Sequence, residues 1–194
     1  RMVSTTMFFA NTLDVERKLG LNFWEGKANY GQAIHVDFRA ADGTVVLPLT
    51  GYLHDNKGIA MDQRTKYHRW LEEYPRRGGS LVLQNVSPED LQAIAQTNDL
   101  TILAAGKGNI TSLFKRNDAR SVHQTPPRKL AAALVVGDDL CGPNSCQCQP
   151  TYTLHFNFVP GAGEYFSMPF YSHTHGACRS FLFESVPNGP MDIF

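Results

Sequence analysis

Four runs of β-forming residues close this 194-residue chain, Lys129–Val136, Tyr152–Phe158, Glu164–Phe170 and Ala177–Ser185, and they restrict its fold more than any other feature. In the second run Thr153, His155 and Asn157 alternate with Leu154, Phe156 and Phe158. That two-residue period belongs to a sheet with one apolar face and one wet face. Pro160-Gly161-Ala162-Gly163 predicts a hairpin loop after it. Earlier, Ala33–Phe38 and Thr44–Leu49 flank Ala40-Ala41-Asp42-Gly43, whose Asp-Gly pair is a strong hairpin signal. Pro48 lacks an N–H for a ladder and sends its strand to an edge or a bulge. The pattern predicts one antiparallel sheet joined by the first hairpin.

Helices are predicted around it. Asn11 or Thr12 can cap a short helix that runs through Leu19 and stops at Gly20. Met61–Arg76 is the longest helical pattern, with Tyr67, Trp70, Leu71 and Tyr74 at three- and four-residue steps as its expected buried stripe. Pro75 and Gly78-Gly79 end it. After a predicted strand at Ser80–Gln84, Ser87-Pro88-Glu89-Asp90 opens another helix, with proline in its first turn and acids at its positive end. Leu91, Ile94 and Ala95 are expected to face inward. The apolar run Leu100–Ala104 follows and reads as a strand buried on both faces. Strand, helix and strand in that order suit a parallel sheet, and Gly106 and Gly108 would let the backbone turn close to a cofactor beyond the strand end.

Lysine plus arginine and aspartate plus glutamate both number 18, so the formal charge is zero and nothing favours a nucleic acid or an anionic membrane as partner. No apolar run approaches the ~20 residues that a membrane helix needs. The chain opens on Arg1 in mid-pattern with no signal peptide, which predicts a fragment of a longer cytoplasmic protein. Cys141, Cys146 and Cys148, with His173, His175 and Cys178, offer ligand types that suit zinc. Their spacing is not that of a zinc knuckle, so loop thiols and a plain turn at His173–His175 are expected and no metal site is assigned. There is no Gly-x-Ser-x-Gly elbow, and no catalytic side chain is assigned.

Across nearly its whole length the chain resembles the oxygenase component of styrene and indole monooxygenases, two-component flavoproteins of the aromatic-hydroxylase fold. The residues that carry the likeness are Arg1, Thr5, Thr12, Glu16, Leu19, Asn22 and Trp24, then Asp62, Arg64 and Arg77-Gly78-Gly79. They continue through Asp90-Leu91, Asp99-Leu100, Gly106-Lys107, Pro127-Arg128, Pro160-Gly161-x-Gly163-Glu164, Met168-Pro169 and Phe183-Glu184. The resemblance implies an α+β fold, an antiparallel-sheet substrate-binding domain with flanking helices. Residues 80–108 would belong to strands and helices shared with an FAD-binding, Rossmann-like domain, here truncated. Its glycine-rich phosphate turn is absent from the sequence, so FAD is implied for the parent protein and is not expected on this chain alone.

By the same resemblance, Arg1, Ala105, Gly106 and Lys107 would touch the flavin. Thr5, Thr6, Phe8, Tyr30, His35 and Tyr52 would border the cavity for a small aromatic or apolar substrate. Phe8 stands where the styrene enzymes carry histidine, which implies a differently shaped cavity. An NAD(P)H-dependent flavin reductase is the implied protein partner. Phe8, Tyr30, Tyr52, Phe166 and Phe170 suit an aromatic-lined pocket, and each also suits a hydrophobic core. Three readings stay open at this point: part of a flavin monooxygenase, a stand-alone apolar-ligand module without catalysis, and a small zinc-stabilised interaction domain.

Overall fold

A computed structural model describes residues 6–106, 109–137 and 153–193. Arg1, Thr5 and Lys107, like Cys141, Cys146 and Cys148, lie outside the described residues. The chain divides into two compact units, Arg1–Glu73 with Pro127–Phe194, and Tyr74–Pro126.

The larger unit holds two sheets. Strands β1 (Met7–Phe8), β2 (Tyr30–Gly31) and β5 (Gly58–Ala60) form a small sheet in the order β1-β5-β2. Strands β3 (Ala33–Arg39), β4 (Val45–Tyr52), β6 (Lys129–Val135), β7 (Thr153–Val159), β8 (Gly163–Ser172) and β9 (Gly176–Ser185) form a six-stranded sheet in the order β4-β3-β7-β8-β9-β6. The predicted Asp42-Gly43 hairpin joins β3 and β4, with Gly43 at φ +88°. Pro48 sits in the edge strand β4, as its missing N–H requires. The expectation of a purely antiparallel sheet is corrected, because β3 and β7 pair in parallel from Ala33↔Thr153 to Phe38↔Phe158. Every local signal describes a strand or a turn, and none specifies how two strands more than 100 residues apart align.

Helix α1 (Ala10–Lys18) ends at Gly20, which adopts φ +63°. Its first residues carry no side-chain cap, and Asn11 bonds only to the neighbouring Thr12 N–H. Helix α2 (Gln63–Arg76) starts from Asp62, a buried carboxylate that accepts the Arg64 backbone N–H at 2.9 Å and the Arg64 guanidinium at 2.5–3.1 Å. The arginine holds the Asp62 carboxyl below its ordinary range. The predicted stripe of α2 is corrected. Of its residues only Trp70 turns inward, half-buried; Tyr67, Leu71 and Tyr74 are exposed, and Lys66 is the buried residue of the helix.

Two apolar clusters form the core of this unit. Leu13, Ala28, Ile59 and Met61 gather Phe8, Trp24, Tyr30 and Tyr171 around them. Ala60, Leu154, Met168 and Phe170 gather Met7, Ile34, Leu134, Phe156 and Cys178. Strand β5, short and fully buried, serves both clusters by turning Ile59 to one and Ala60 to the other.

The smaller unit contains α3 (Pro88–Thr97), opened by the predicted proline and by a capping box. Ser87 Oγ accepts the Asp90 N–H at 3.1 Å, and the Asp90 carboxylate accepts the Ser87 N–H at 2.9 Å. Leu91 and Ile94 are half-buried and Ala95 is exposed. The strands expected at Ser80–Gln84 and Leu100–Ala104 are corrected to segments that join no sheet among the described residues. Leu83, Leu100 and Ile102 are 86, 76 and 79% exposed. A strand exists only against a partner, and among the described residues none aligns with either segment.

Candidate functional site

Strand alternation and register sort the six-stranded sheet into two unlike faces. Val36 and Phe38, opposite Phe156 and Phe158, share a face with Phe166 and Leu182. Their rings pack as an aromatic row. Phe38 stacks on Phe158 with centroids 5.4 Å apart, and Phe156 meets Phe166 edge-on at 4.7 Å. The opposite face is polar along β3 and β7, while Tyr165 packs with Phe181 and Phe183 toward β9. His35 bonds to Thr50 Oγ1 at 2.7 Å and to Asp37 at 3.1 Å, while Arg39 donates to Asp37 and to Asn157 at 2.9 and 2.8 Å. Beside them, buried Arg179 donates to Ser167 Oγ at 3.1 Å. His155 stands among these groups, 5.7 Å from the His35 ring. Burial, reinforced by the Arg179 and His35 charges, lowers its pKa to about 4, so it is neutral at physiological pH.

The residues expected to border a substrate cavity fall into two groups. Phe8 and Tyr30 come together, one on each side of Ile59, because β1 and β2 both pair with β5 at that residue. Thr6 lies at the edge of this group and accepts a hydrogen bond from Gln63 at 3.1 Å. Tyr30 is half-buried against Glu25, and burial raises its phenol pKa. His35 and Tyr52 lie instead on the polar face of the β3–β4 ladder, with Tyr52 exposed and 6.4 Å from the His54 ring. Phe166 and Phe170 share one face of β8, Phe170 within the buried cluster and Phe166 half-buried against Phe156, which packs on that cluster.

Sequence reasoning missed the group that fixes Phe8. The Lys66 ammonium is buried against the Glu16 carboxylate and lies 3.4 Å from the centre of the Phe8 ring and 5.3 Å from that of Trp70. Burial lowers the Lys66 pKa against the pull of Glu16. Trp70 in turn donates its indole N–H to the Leu21 carbonyl at 2.8 Å. An ammonium over a ring face in a dry setting contributes about 2 kcal/mol, and it holds Phe8 in one orientation.

Of the residues expected at a cofactor, Ala105 and Gly106 are exposed in the smaller unit. Gly106 has φ +64°, a conformation that favours glycine, and nothing within 4 Å of where a Cβ would stand. The sequence offers no glycine-rich turn to grip a dinucleotide's phosphates. Among the described residues no cluster of histidine, cysteine and carboxylates could hold a metal ion. His173 and His175 occupy the β8–β9 turn, and His173 bonds instead to Thr65 at 2.8 Å. No helix of the described residues is long and apolar enough to cross a membrane.

Residues 106–194 match the family model described as "Styrene monooxygenase A putative substrate binding domain". This part of the chain is thus similar to a styrene monooxygenase substrate-binding domain, and the chain as a whole is similar to styrene monooxygenases. Among its relatives are the styrene monooxygenase StyA of Pseudomonas fluorescens and that of a second Pseudomonas strain. Each is 25% identical over 169 residues, which is 87% of this chain and 38% of the relative. The chain thus spans well under half the length of the curated relatives it matches.

Proposed function

We propose that this chain is the substrate-binding part of a two-component, FAD-dependent monooxygenase that epoxidises or hydroxylates a small apolar aromatic substrate of styrene or indole type. The observation that supports it best is the convergence of Phe8 and Tyr30 on one apolar cluster, with Thr6 at its edge, in a chain similar to styrene monooxygenases. Bound reduced flavin, delivered by an NAD(P)H-dependent reductase in the cytoplasm, would supply the activated oxygen. The chain's own residues orient the substrate ring and exclude water from it. Phe8, held by Lys66, offers a fixed apolar face, and Tyr30 offers a ring whose hydroxyl is engaged by Glu25. His35 and Tyr52 form a more distant border on the β3–β4 ladder. Ala105 and Gly106, with Arg1 and Lys107, would meet the flavin, and the apolar segments 80–84 and 100–104 would gain strand partners from the flavin domain.

The test is a panel of competing styrenes and indoles given to the reconstituted full-length enzyme with its reductase. Phe8→Ala enlarges the cavity and should shift preference toward bulkier rings by roughly 10- to 200-fold. Flavin reduction should be unchanged. An unaltered preference profile in a folded Phe8→Ala enzyme would refute this placement of the cavity.

A further inference from the structure

Three motifs from separate parts of the chain meet where β7 turns into β8, a place the proposed monooxygenase reading leaves without a role. Arg128, which precedes β6, donates Nε and a terminal nitrogen to both oxygens of Glu164 at 2.7 and 2.8 Å. Glu164 follows Gly163, whose backbone stands at φ +134° and whose missing Cβ would lie 2.1 Å from the Glu184 carbonyl oxygen. Only glycine fits there. The turn is strapped from outside as well. Buried Ala162 donates its N–H to the Val159 carbonyl at 3.0 Å and accepts from the Val186 N–H at 2.9 Å. A hairpin fixed at so many points is a rigid wall.

That wall closes one end of a cavity of about 350 Å³ at the end of the six-stranded sheet. Phe38 and Phe158, stacked on each other, line it together with Val46 and Val186. Two arginines reach its rim, and both are committed. Arg128 is spent on Glu164 and the Pro127 carbonyl, and Arg39 on Asp37, Asn157 and the Gly43 carbonyl. A charged ligand would therefore meet charges that are already neutralised, while a flat uncharged one would meet aromatic and valine surface. The volume lies within the ~300–1,000 Å³ typical of small-molecule sites. Along β3 the cavity stands about 13 Å from Ile34, at the end opposite Phe8 and Tyr30, by strand rise alone.

We infer that this cavity, walled by the Pro160–Gly163 hairpin, is a second binding site for a small, uncharged aromatic molecule. It is separate from the proposed substrate cavity and does not depend on it.

Indole titrated into the purified protein with isotope-labelled valine methyl groups tests the inference. Val46 and Val186 report on this cavity alone, so binding near Phe8 is read separately. Their methyl signals should shift saturably with indole at concentrations below about 1 mM. Indole-3-acetate, the same ring with a carboxylate, should bind at least about tenfold more weakly. Val46→Trp, on an exposed edge strand, should fill the cavity and abolish the Val186 shift. Phe158→Leu keeps apolar volume, removes the stacked ring and should weaken indole several-fold. The inference fails if the valine signals do not move, if indole-3-acetate binds as well as indole, or if both variants retain wild-type affinity. Because the readout is binding at these valines, failure here leaves the oxygenase reading standing, and failure of turnover there leaves this site standing.

Discussion

Replacing Glu16 by glutamine should destabilise the protein far more than any surface carboxylate would. Lys66 is 1% exposed and Glu16 is 4% exposed, so the ammonium left behind has no water to turn to. Breaking a buried ion pair by removing one partner costs roughly 3–5 kcal/mol. The Phe8 ring, 3.4 Å from the ammonium, offsets part of that loss, and the expected cost of Glu16→Gln is about 3 kcal/mol. Lys66→Met removes the ring contact and strands a carboxylate, so its cost should reach the upper end of the range. The double variant Glu16→Leu with Lys66→Met replaces both charges by apolar groups of similar size. It should come within about 1 kcal/mol of the wild type or exceed it, since desolvation is no longer paid for. Urea unfolding of the four proteins at neutral pH gives the cycle. The pH dependence adds a second reading. Burial holds the Lys66 pKa below its unfolded value, so the unfolded chain binds more protons between the two and stability rises with pH across that interval. Without Glu16 the interval widens, and the Glu16→Gln deficit should shrink as pH climbs from 7 toward 10. Single variants that each cost less than about 1 kcal/mol, or a double variant as damaged as the sum of the singles, would refute the buried-pair reasoning.

Three further outcomes are expected. Gly163→Ala should cost about 2–4 kcal/mol in chemical unfolding, because its Cβ has neither the space nor the backbone angle it needs. His155, with its pKa lowered to about 4, contributes stability that is present above its unfolded value near 6.5 and is lost as pH falls through that window. Half-burial limits the loss to about 1–3 kcal/mol, and thermal melts of the His155→Gln variant should lack this acid-side slope. Replacing Cys141, Cys146 and Cys148 together by serine should leave the melting temperature nearly unchanged, with zinc well below one equivalent by metal analysis. A loss of several kcal/mol would instead assign them a structural metal.

What could be read in the sequence was whatever a few neighbouring residues decide among themselves. Asp42-Gly43 forces its turn locally, Ser87 and Asp90 cap their helix across three residues, and the alternation in Leu154–Phe158 needs only its own strand. What could not be read depends on partners far along the chain. Nothing within β3 or β7 states that they run parallel, and nothing within residues 80–84 or 100–104 states that their apolar side chains lack a ladder to join. Phe8 and Tyr30 were placed by resemblance, yet it is β5, a strand of three residues, that brings them together around Ile59. Helix α2 shows the same limit in energetic form. Counting apolar residues at helical spacing placed Trp70 inward but Tyr67, Leu71 and Tyr74 with it, because a lysine is costed as if it stood alone in oil. Lys66 does not stand alone, for Glu16 lies 50 residues earlier and two aromatic rings flank the ammonium. Once that charge has its partner, the inward face of α2 is the one carrying Lys66 and Trp70, and the tyrosines are left outside. The residue that a hydropathy rule rejects from the core is thus the one that fixes the orientation of Phe8.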